Sequence, residues 1–501
     1  MSRMTIAAFG GAFLLTFAAE AKLELGAPFV DGAVLQREKP VHVWGWAEPG
    51  CAVKVAFAGK AVSTKAGADG KWLVKIGPFK ACREGRVLSV SSGSEKAEVK
   101  DVLVGEVWLC SGQSNMEFSL CSEAVRSRER DGFLTAQMTH KPLVRYLHDC
   151  RYKTSPEPME RVGERLFWEK FEPQLLMRHG VSAIAVYYAL ELYSALEVPV
   201  GVIVAAWGGT DIAPWIPKCG FASVKGLEDL AAWKPKTGAA FTDADKTPTM
   251  TNSSRQPTIM YNALVAPLAP YAMRGIIWYQ GESDRGETGR YALKMHAYYN
   301  GMTEVFRDKS LKYYFAQIAY WKHGQGTWHE IRLQQAKFAG EEPNAEMVVT
   351  ADVGNPDEIH PYDKKPVAKR LAAYALRNDY GFKDIVCDYP APVSANASAE
   401  GTVELVFAHA KSLQVYNLTG KGEINLELAG EDGVFKPAEI VSEPEKKRPN
   451  QYPGSALLVR AKGVSAPKSV RYLHQAFSHG ALVNELGLPA GPFALPVAPR
   501  K

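Results

Sequence analysis

The segment Val107-Trp108-Leu109-Cys110-Ser111-Gly112-Gln113-Ser114-Asn115-Met116 decides how the rest of the chain is read. An apolar run of strand character passes directly into Gly-x-Ser. Such a turn sets Ser114 at the carboxyl end of a strand with its hydroxyl exposed. A serine nucleophile needs that exposure, a base beside it and donors for the oxyanion. An ordinary serine-rich turn has the same local sequence, so the reading rests on what other strand ends bring to the same place.

Two further strand ends have compatible chemistry. Residues 200–206 end in Trp207-Gly208-Gly209-Thr210, and residues 275–279 end in Gln280-Gly281-Glu282-Ser283-Asp284. Each gives a sharp turn whose N–H groups can converge on one point. The base is expected to be histidine, the side chain that titrates near neutral pH without special tuning. Of the 11 histidines, His42 sits in a strand pattern, His179 before a helix, His296 within one, and His474 and His479 near the end of the chain. His360 stands apart. The apolar run 347–351 leads into Asp352-Val353-Gly354-Asn355-Pro356-Asp357-Glu358-Ile359-His360-Pro361 and then a helical stretch. Asp357, three residues before the imidazole, is an acid placed to hold the ring's tautomer and stabilise imidazolium.

Working outward, apolar runs at 102–109, 200–206, 275–279, 313–318 and 347–351 alternate with helical periodicity at 182–196, 291–306, 330–339 and 365–376. That alternation predicts an α/β domain over 99–385 with a doubly wound parallel sheet and its site at the carboxyl ends of the strands. Residues 218–260, rich in Lys, Thr and Pro, read as a surface insertion. Residues 22–98 alternate at period two and predict an N-terminal β-sandwich, and 386–501 return to strands and predict a C-terminal β-rich module.

Composition bounds the partners. With 501 residues and 46% hydrophobic content the chain has several globular domains, and 59 Lys plus Arg against 54 acids leave +5, too little for a nucleic-acid binder of this size. Residues 1–21 carry Arg3, an apolar run and Ala19-Glu20-Ala21, the order of an export signal, so a periplasmic or secreted location is expected. That run is shorter than the ~20 residues a membrane span needs. The seven cysteines show no Cys-x-x-Cys pair near histidine, so no zinc site is expected, and they read mostly as small buried residues with room for one bridge.

Gly-Gln-Ser-Asn-Met after a strand, Trp-Gly-Gly-Thr, Trp-Tyr-Gln-Gly-Glu and Asp-x-x-His-Pro, in that order, closely resemble the sialate O-acetylesterase family of the SGNH hydrolases. Val34-Leu35-Gln36, Val43-Trp44-Gly45-Trp46-Ala47 and Gly487-Leu488-Pro489-Ala490-Gly491-Pro492-Phe493 extend the likeness to both flanks. The resemblance implies a flavodoxin-like three-layer catalytic domain, no cofactor or metal, and a serine esterase that removes acetyl groups from sugar hydroxyls, most of all those of O-acetylated sialic acids. By matching position, Ser114 is the nucleophile, His360 the base and Asp357 takes the place of the acid; because Glu358 stands where many relatives carry Asp, which of the two orients His360 is open. The Ser114 N–H, the Gly209 N–H and the Gln280 amide form the implied oxyanion hole.

Substrate contacts are expected from Gln113, Asn115, Thr210, Trp215 and Glu282, with Trp215 as either a stacking platform or a buried rim tryptophan and Arg285 or Arg255 as a cation for a sialate carboxylate. Glu282 also reads as a structural acid buttressing its turn, and Asp284 as a helix-starting or solvated residue. Acetylated xylan or another glycan is the alternative substrate, because these motifs handle only the ester. A glycosidase using two of Glu282, Asp284, Asp352 and Asp357 leaves Ser114 and His360 without a role. A non-catalytic glycan-binding protein leaves the whole Ser, Gly, Gln and His set unexplained.

Overall fold

One strand, Glu95–Gly112, joins two layers of the molecule. Its first half forms a hairpin with Cys82–Ser92 and runs beside Val34–Gln36. Its second half lies parallel between Val200–Ala206 and Gly275–Tyr279. The expected change of domain at 98 falls inside this strand, where Val99, Val102, Leu103 and Val104 are buried on either side of the irregularity at Lys100 and Asp101.

The central path runs Trp168–Lys170, Val144–His148, Val200–Ala206, Glu95–Gly112, Gly275–Tyr279, Lys312–Ala316, Ala345–Val348. Neighbours are parallel throughout, except that Trp168–Lys170 is antiparallel to Val144–His148. These strands read as continuous apolar runs because both faces are covered. Trp108, Cys110, Val202, Val204 and Ile277 pack with the helices Ala183–Leu196 and Lys365–Asp379. Val107, Leu109, Ile203, Ile276 and Trp278 pack with Tyr291–Val305 and Trp328–Glu341. Side chains that alternate along one strand thus enter two different cores, each buried side chain contributing about 1.5–3 kcal/mol.

The four expected helices form within a few residues of their predicted ends. Two strands, Val144–His148 and Trp168–Lys170, extend the sheet beyond the sequence reading. Arg145 interrupts the apolar signal of the first, yet it is buried with its guanidinium 3.0 Å from Asp101 Oδ2.

The structure, a computed structural model, describes residues 22–122, 142–148, 153–162, 166–172, 180–236, 256–324, 326–398, 401–417, 424–446, 448 and 450–499. The expected export segment 1–21, His179, Cys150, Arg255 and residues 237–255 of the insertion lie outside these. Within the insertion, Lys218–Ala222 and Glu228–Ala232 are short helices. Cys51, Cys82, Cys110, Cys219 and Cys387 carry free thiols, of which only Cys110 and Cys387 are buried. The C-terminal part is built of antiparallel strands, a 7-stranded sheet and a 3-stranded sheet among the described residues.

Candidate active site

The sheet register brings three turns together. Gly112 is paired with Ala206 on one side and Tyr279 on the other, so the strands end at the same level. Gln113 N–H donates to Tyr279 O at 3.0 Å and Trp207 N–H to Gly112 O at 3.0 Å, which locks the turns edge to edge. Gly112 is required there. Its φ is +142° and a Cβ would lie 2.2 Å from Tyr279 O.

Ser114 opens the short helix Ser114–Glu117 and is half-buried between the buried Gln113 and Asn115. The N-cap of the helix Ala183–Leu196 fixes that turn from below, because Ser182 Oγ donates to Met116 O at 2.6 Å while accepting from Ala185 N–H at 3.1 Å. Across the turn, His360 Nε2 is 2.9 Å from Ser114 Oγ. The nucleophile and base suggested by sequence are therefore in hydrogen-bond contact, although 246 positions apart.

The acid differs from expectation. Asp357 is ion-paired with Lys322 and its side chain is 71% exposed, so it does not face the imidazole. Glu358 Oε1 lies 3.2 Å from His360 Nδ1 and accepts the His360 backbone N–H at 3.1 Å. The physical reason is local: a side chain two residues back folds onto the N–H of its own turn, and the same oxygen then meets the ring.

Gln280 also departs from its expected place. It is fully buried, and both of its amide hydrogens have acceptors, Thr210 O at 3.0 Å and Asp284 Oδ2 at 2.6 Å. The Tyr291 hydroxyl lies 2.8 Å from Gln280 Oε1. An amide so committed has no donor left for a substrate. Asp284, expected to start a helix or be solvated, opens the short 3₁₀ turn Asp284–Gly286 and is buried, accepting from Ile212 N–H at 2.9 Å with Lys294 Nζ 3.5 Å from its other oxygen. Burial pushes the Asp284 carboxyl above its ordinary value, against the pull of Lys294.

The Ser114 and Gly209 N–H groups have no acceptor among the described residues. Ser114 N–H stands at the first position of its helix, where no intrahelical partner exists. Gly208 N–H donates to Glu117 Oε2 at 2.8 Å, which leaves the next N–H, that of Gly209 at φ +73°, unengaged. A Cβ on Gly208 would lie 3.2 Å from Ser114 Cβ, so the 207–210 turn rests directly on the nucleophile.

The residues expected to touch substrate instead brace the site. Asn115 Nδ2 donates to Glu282 Oε1 at 2.6 Å and to Ile359 O at 3.3 Å, and its Oδ1 accepts from Lys364 Nζ at 2.6 Å. Glu282 is buried with no hydrogen-bond partner for Oε2 among the described residues, and burial pushes its carboxyl up. Thr210 Oγ1 donates to Trp207 O at 2.8 Å and accepts from Trp215 Nε1 at 3.0 Å. Trp215 is fully buried, edge-on to Trp278 at 6.4 Å, and offers no face to a sugar. Gln113 is buried, with Oε1 accepting from the N–H groups of Gly281 and Ser283, each at 3.3 Å. Arg285 is exposed, its guanidinium 5.8 Å from the Trp328 ring centroid. Glu117 and Lys364 were missed by the sequence reading. Glu117 lies three residues after Ser114 on the same turn, a spacing that could have flagged it.

A family profile described as carbohydrate esterase, sialic acid-specific acetylesterase, matches residues 104–376. The chain is 28% identical to the human sialate O-acetylesterase over 403 residues, 73% of each protein. The rat sialate O-acetylesterase is 26% identical over 420 residues, covering 73% of this chain and 75% of that one. Among solved structures, a carbohydrate acetylesterase from Xanthomonas citri has 30% identity and a TM-score of 0.77, with 94% of this chain and 99% of that chain covered. With the paired Ser114 and His360 at the edge of a matched α/β layer, the chain belongs to the sialic acid-specific acetylesterase family of carbohydrate esterases and is a serine ester hydrolase.

Proposed function

We propose that this protein removes O-acetyl groups from glycans, those of sialic acids first, through an acetyl-enzyme on Ser114. The observation that carries the reading is the 2.9 Å contact between Ser114 Oγ and His360 Nε2, with a carboxylate against the opposite ring nitrogen. His360 Nε2 takes the hydroxyl proton as Oγ bonds to the acetyl carbon. The Ser114 and Gly209 N–H groups stabilise the oxyanion. When the bond between the acetyl carbon and the sugar oxygen breaks, that oxygen receives the proton from His360. Water, deprotonated by the same imidazole, then attacks the acetyl-serine; acetate leaves and the proton returns to Ser114 Oγ. Glu358 orients the ring and offsets its transient charge. Gln280 holds the 207–210 turn that presents Gly209.

The catalytic layer is inferred to be a doubly wound sheet of SGNH type over 99–385, flanked by β-rich parts at 22–98 and 386–501. The pattern within residues 1–21 supports export. A second reading, an acetylesterase for neutral glycans such as acetylxylan, rests on the site residues handling only the acetyl ester, and the similar Xanthomonas citri enzyme is described as a carbohydrate acetylesterase with no glycan specified.

Acetate release measured across O-acetylated sialic acids, acetylxylan and a chromogenic acetyl ester tests both. Release from the sialic acids, lost in Ser114→Ala, is expected. Release from acetylxylan alone replaces the substrate, and activity surviving in Ser114→Ala overturns the mechanism.

A further inference from the structure

The C-terminal module contains a cleft of about 780 Å³ that none of the catalytic residues lines. Residues of the strand Ser412–Asn417 in the small sheet border it on one side, and residues of Leu426–Ala429 and Phe435–Ile440 in the large sheet on the other. Its volume is that of a ligand site, for which ~300–1,000 Å³ is usual.

The lining selects the chemistry. Both carboxylates that border the cleft are neutralised, Glu427 by Arg471 at 2.7 Å and Glu439 by Arg460 at 3.2 Å. The cleft therefore makes no demand for a charged ligand. The Gln475 and Asn450 amides and the Tyr452 hydroxyl line the same space and make no side-chain hydrogen bond among the described residues. The half-buried Phe477 ring stands beside them. Amides and a phenol with unspent hydrogen-bonding capacity, next to an aromatic ring, suit a neutral pyranose: its hydroxyls meet the amides and its C–H face meets the ring.

The position links the cleft to the reaction. Lys322 lines it, and its ammonium is ion-paired with Asp357, three residues before His360. Lys322 N–H also donates to Pro356 O at 3.3 Å, and Trp321 N–H to Ala476 O at 3.3 Å. The cleft thus adjoins the loop that carries the base.

We propose that this cleft is a second sugar subsite, holding a neutral pyranose unit of the same glycan whose acetyl ester is presented to Ser114. The proposal rests on the esterase reading and adds a requirement for chain length.

The test compares wild type with the triple variant Gln475→Ala, Asn450→Ala, Tyr452→Phe on a chromogenic acetyl ester and on acetylated tetrasaccharides built on xylose and on lactosamine. Expected is an unchanged rate on the small ester, which also reports folding, and a KM for one tetrasaccharide raised roughly tenfold with kcat kept. An unchanged KM on both tetrasaccharides, or a parallel loss on all substrates, overturns the subsite. A binding titration of the corresponding deacetylated tetrasaccharides into Ser114→Ala separates the two ideas. Saturable binding that the triple variant abolishes supports the subsite even where no acetylated glycan is hydrolysed, and absence of binding overturns it while leaving the esterase standing.

Discussion

Asn115 Nδ2 lies 2.6 Å from Glu282 Oε1, and this buried contact ties the residue after the nucleophile to the turn after Gly275–Tyr279. The same amide reaches Ile359 O, beside His360, and its oxygen holds the buried Lys364 ammonium. Asn115→Ala leaves a buried carboxyl and a buried ammonium without this partner, at a cost of about 3 kcal/mol or more. We expect a lower unfolding midpoint together with kcat reduced roughly tenfold, since the His360 loop loses a tether. Thermal unfolding and steady-state kinetics on one preparation check this, and a variant with native midpoint and native kcat removes Asn115 from the brace.

Ser114→Ala and His360→Ala each remove a member of the reacting pair. Each is expected to lower acetyl ester turnover roughly 10⁴-fold or more, with the double variant no worse than either single one, because residues acting as a unit are not additive. Circular dichroism establishes that the fold is kept. Multiplying losses in the double variant speak against a shared step.

Asp357 and Glu358 are neighbours in sequence with opposite predicted consequences. Glu358→Gln removes the charge beside His360 Nδ1, and kcat is expected to fall roughly 100-fold or more. Asp357→Asn breaks only an exposed ion pair with Lys322, of the kind worth about 0–1 kcal/mol, so activity should stay within about fivefold. The reverse ranking in kcat/KM would restore Asp357 as the orienting acid.

Gln280→Ala separates an oxyanion donor from a brace. A lost donor lowers kcat by ~100 to 1,000 at unchanged stability. The bonds to Thr210 O and Asp284 Oδ2 predict instead that the unfolding midpoint and kcat fall together, because the buried Asp284 carboxylate loses its nearest donor. A large kcat loss at native stability would return the amide to the oxyanion hole.

These contrasts mark what a sequence can carry. Ser114, Gly209 and His360 were legible because each lies in the turn or loop that follows an apolar run, and parallel strands deliver their carboxyl ends to one edge. The choice between Asp357 and Glu358 was not, because it depends on which way the loop backbone turns each side chain. Gln280 was misread because its partners Asp284 and Tyr291 come from the segment that follows it, and no periodicity announces such a contact. Whether Trp215 is a platform or a buried residue is not legible either, because a tryptophan beside proline gives the same signal at a rim and in a core.

His474 supplies a pH test remote from the reaction. Burial first, then His329 with its ring 5.8 Å away, and then Arg471 push its imidazole down from 6.5 to about 4, against a weaker upward pull from Phe493 and Glu427. A histidine with a depressed folded pKa binds its proton more readily in the unfolded chain, so its contribution to stability is present above pH 6.5 and is lost as pH falls from there towards about 4. Denaturation midpoints of wild type should drop across that window, and His474→Gln should flatten the drop; identical slopes would exclude His474 as its source. Arg332 donates to the carbonyls of Leu473 and Gln475 on either side of His474, and Trp321 N–H donates to Ala476 O in the same segment. Protonation of His474 therefore acts on the segment that supports the 320–322 stretch against the His360 loop, and acid loss of esterase activity below pH 5 should be milder in His474→Gln than in wild type.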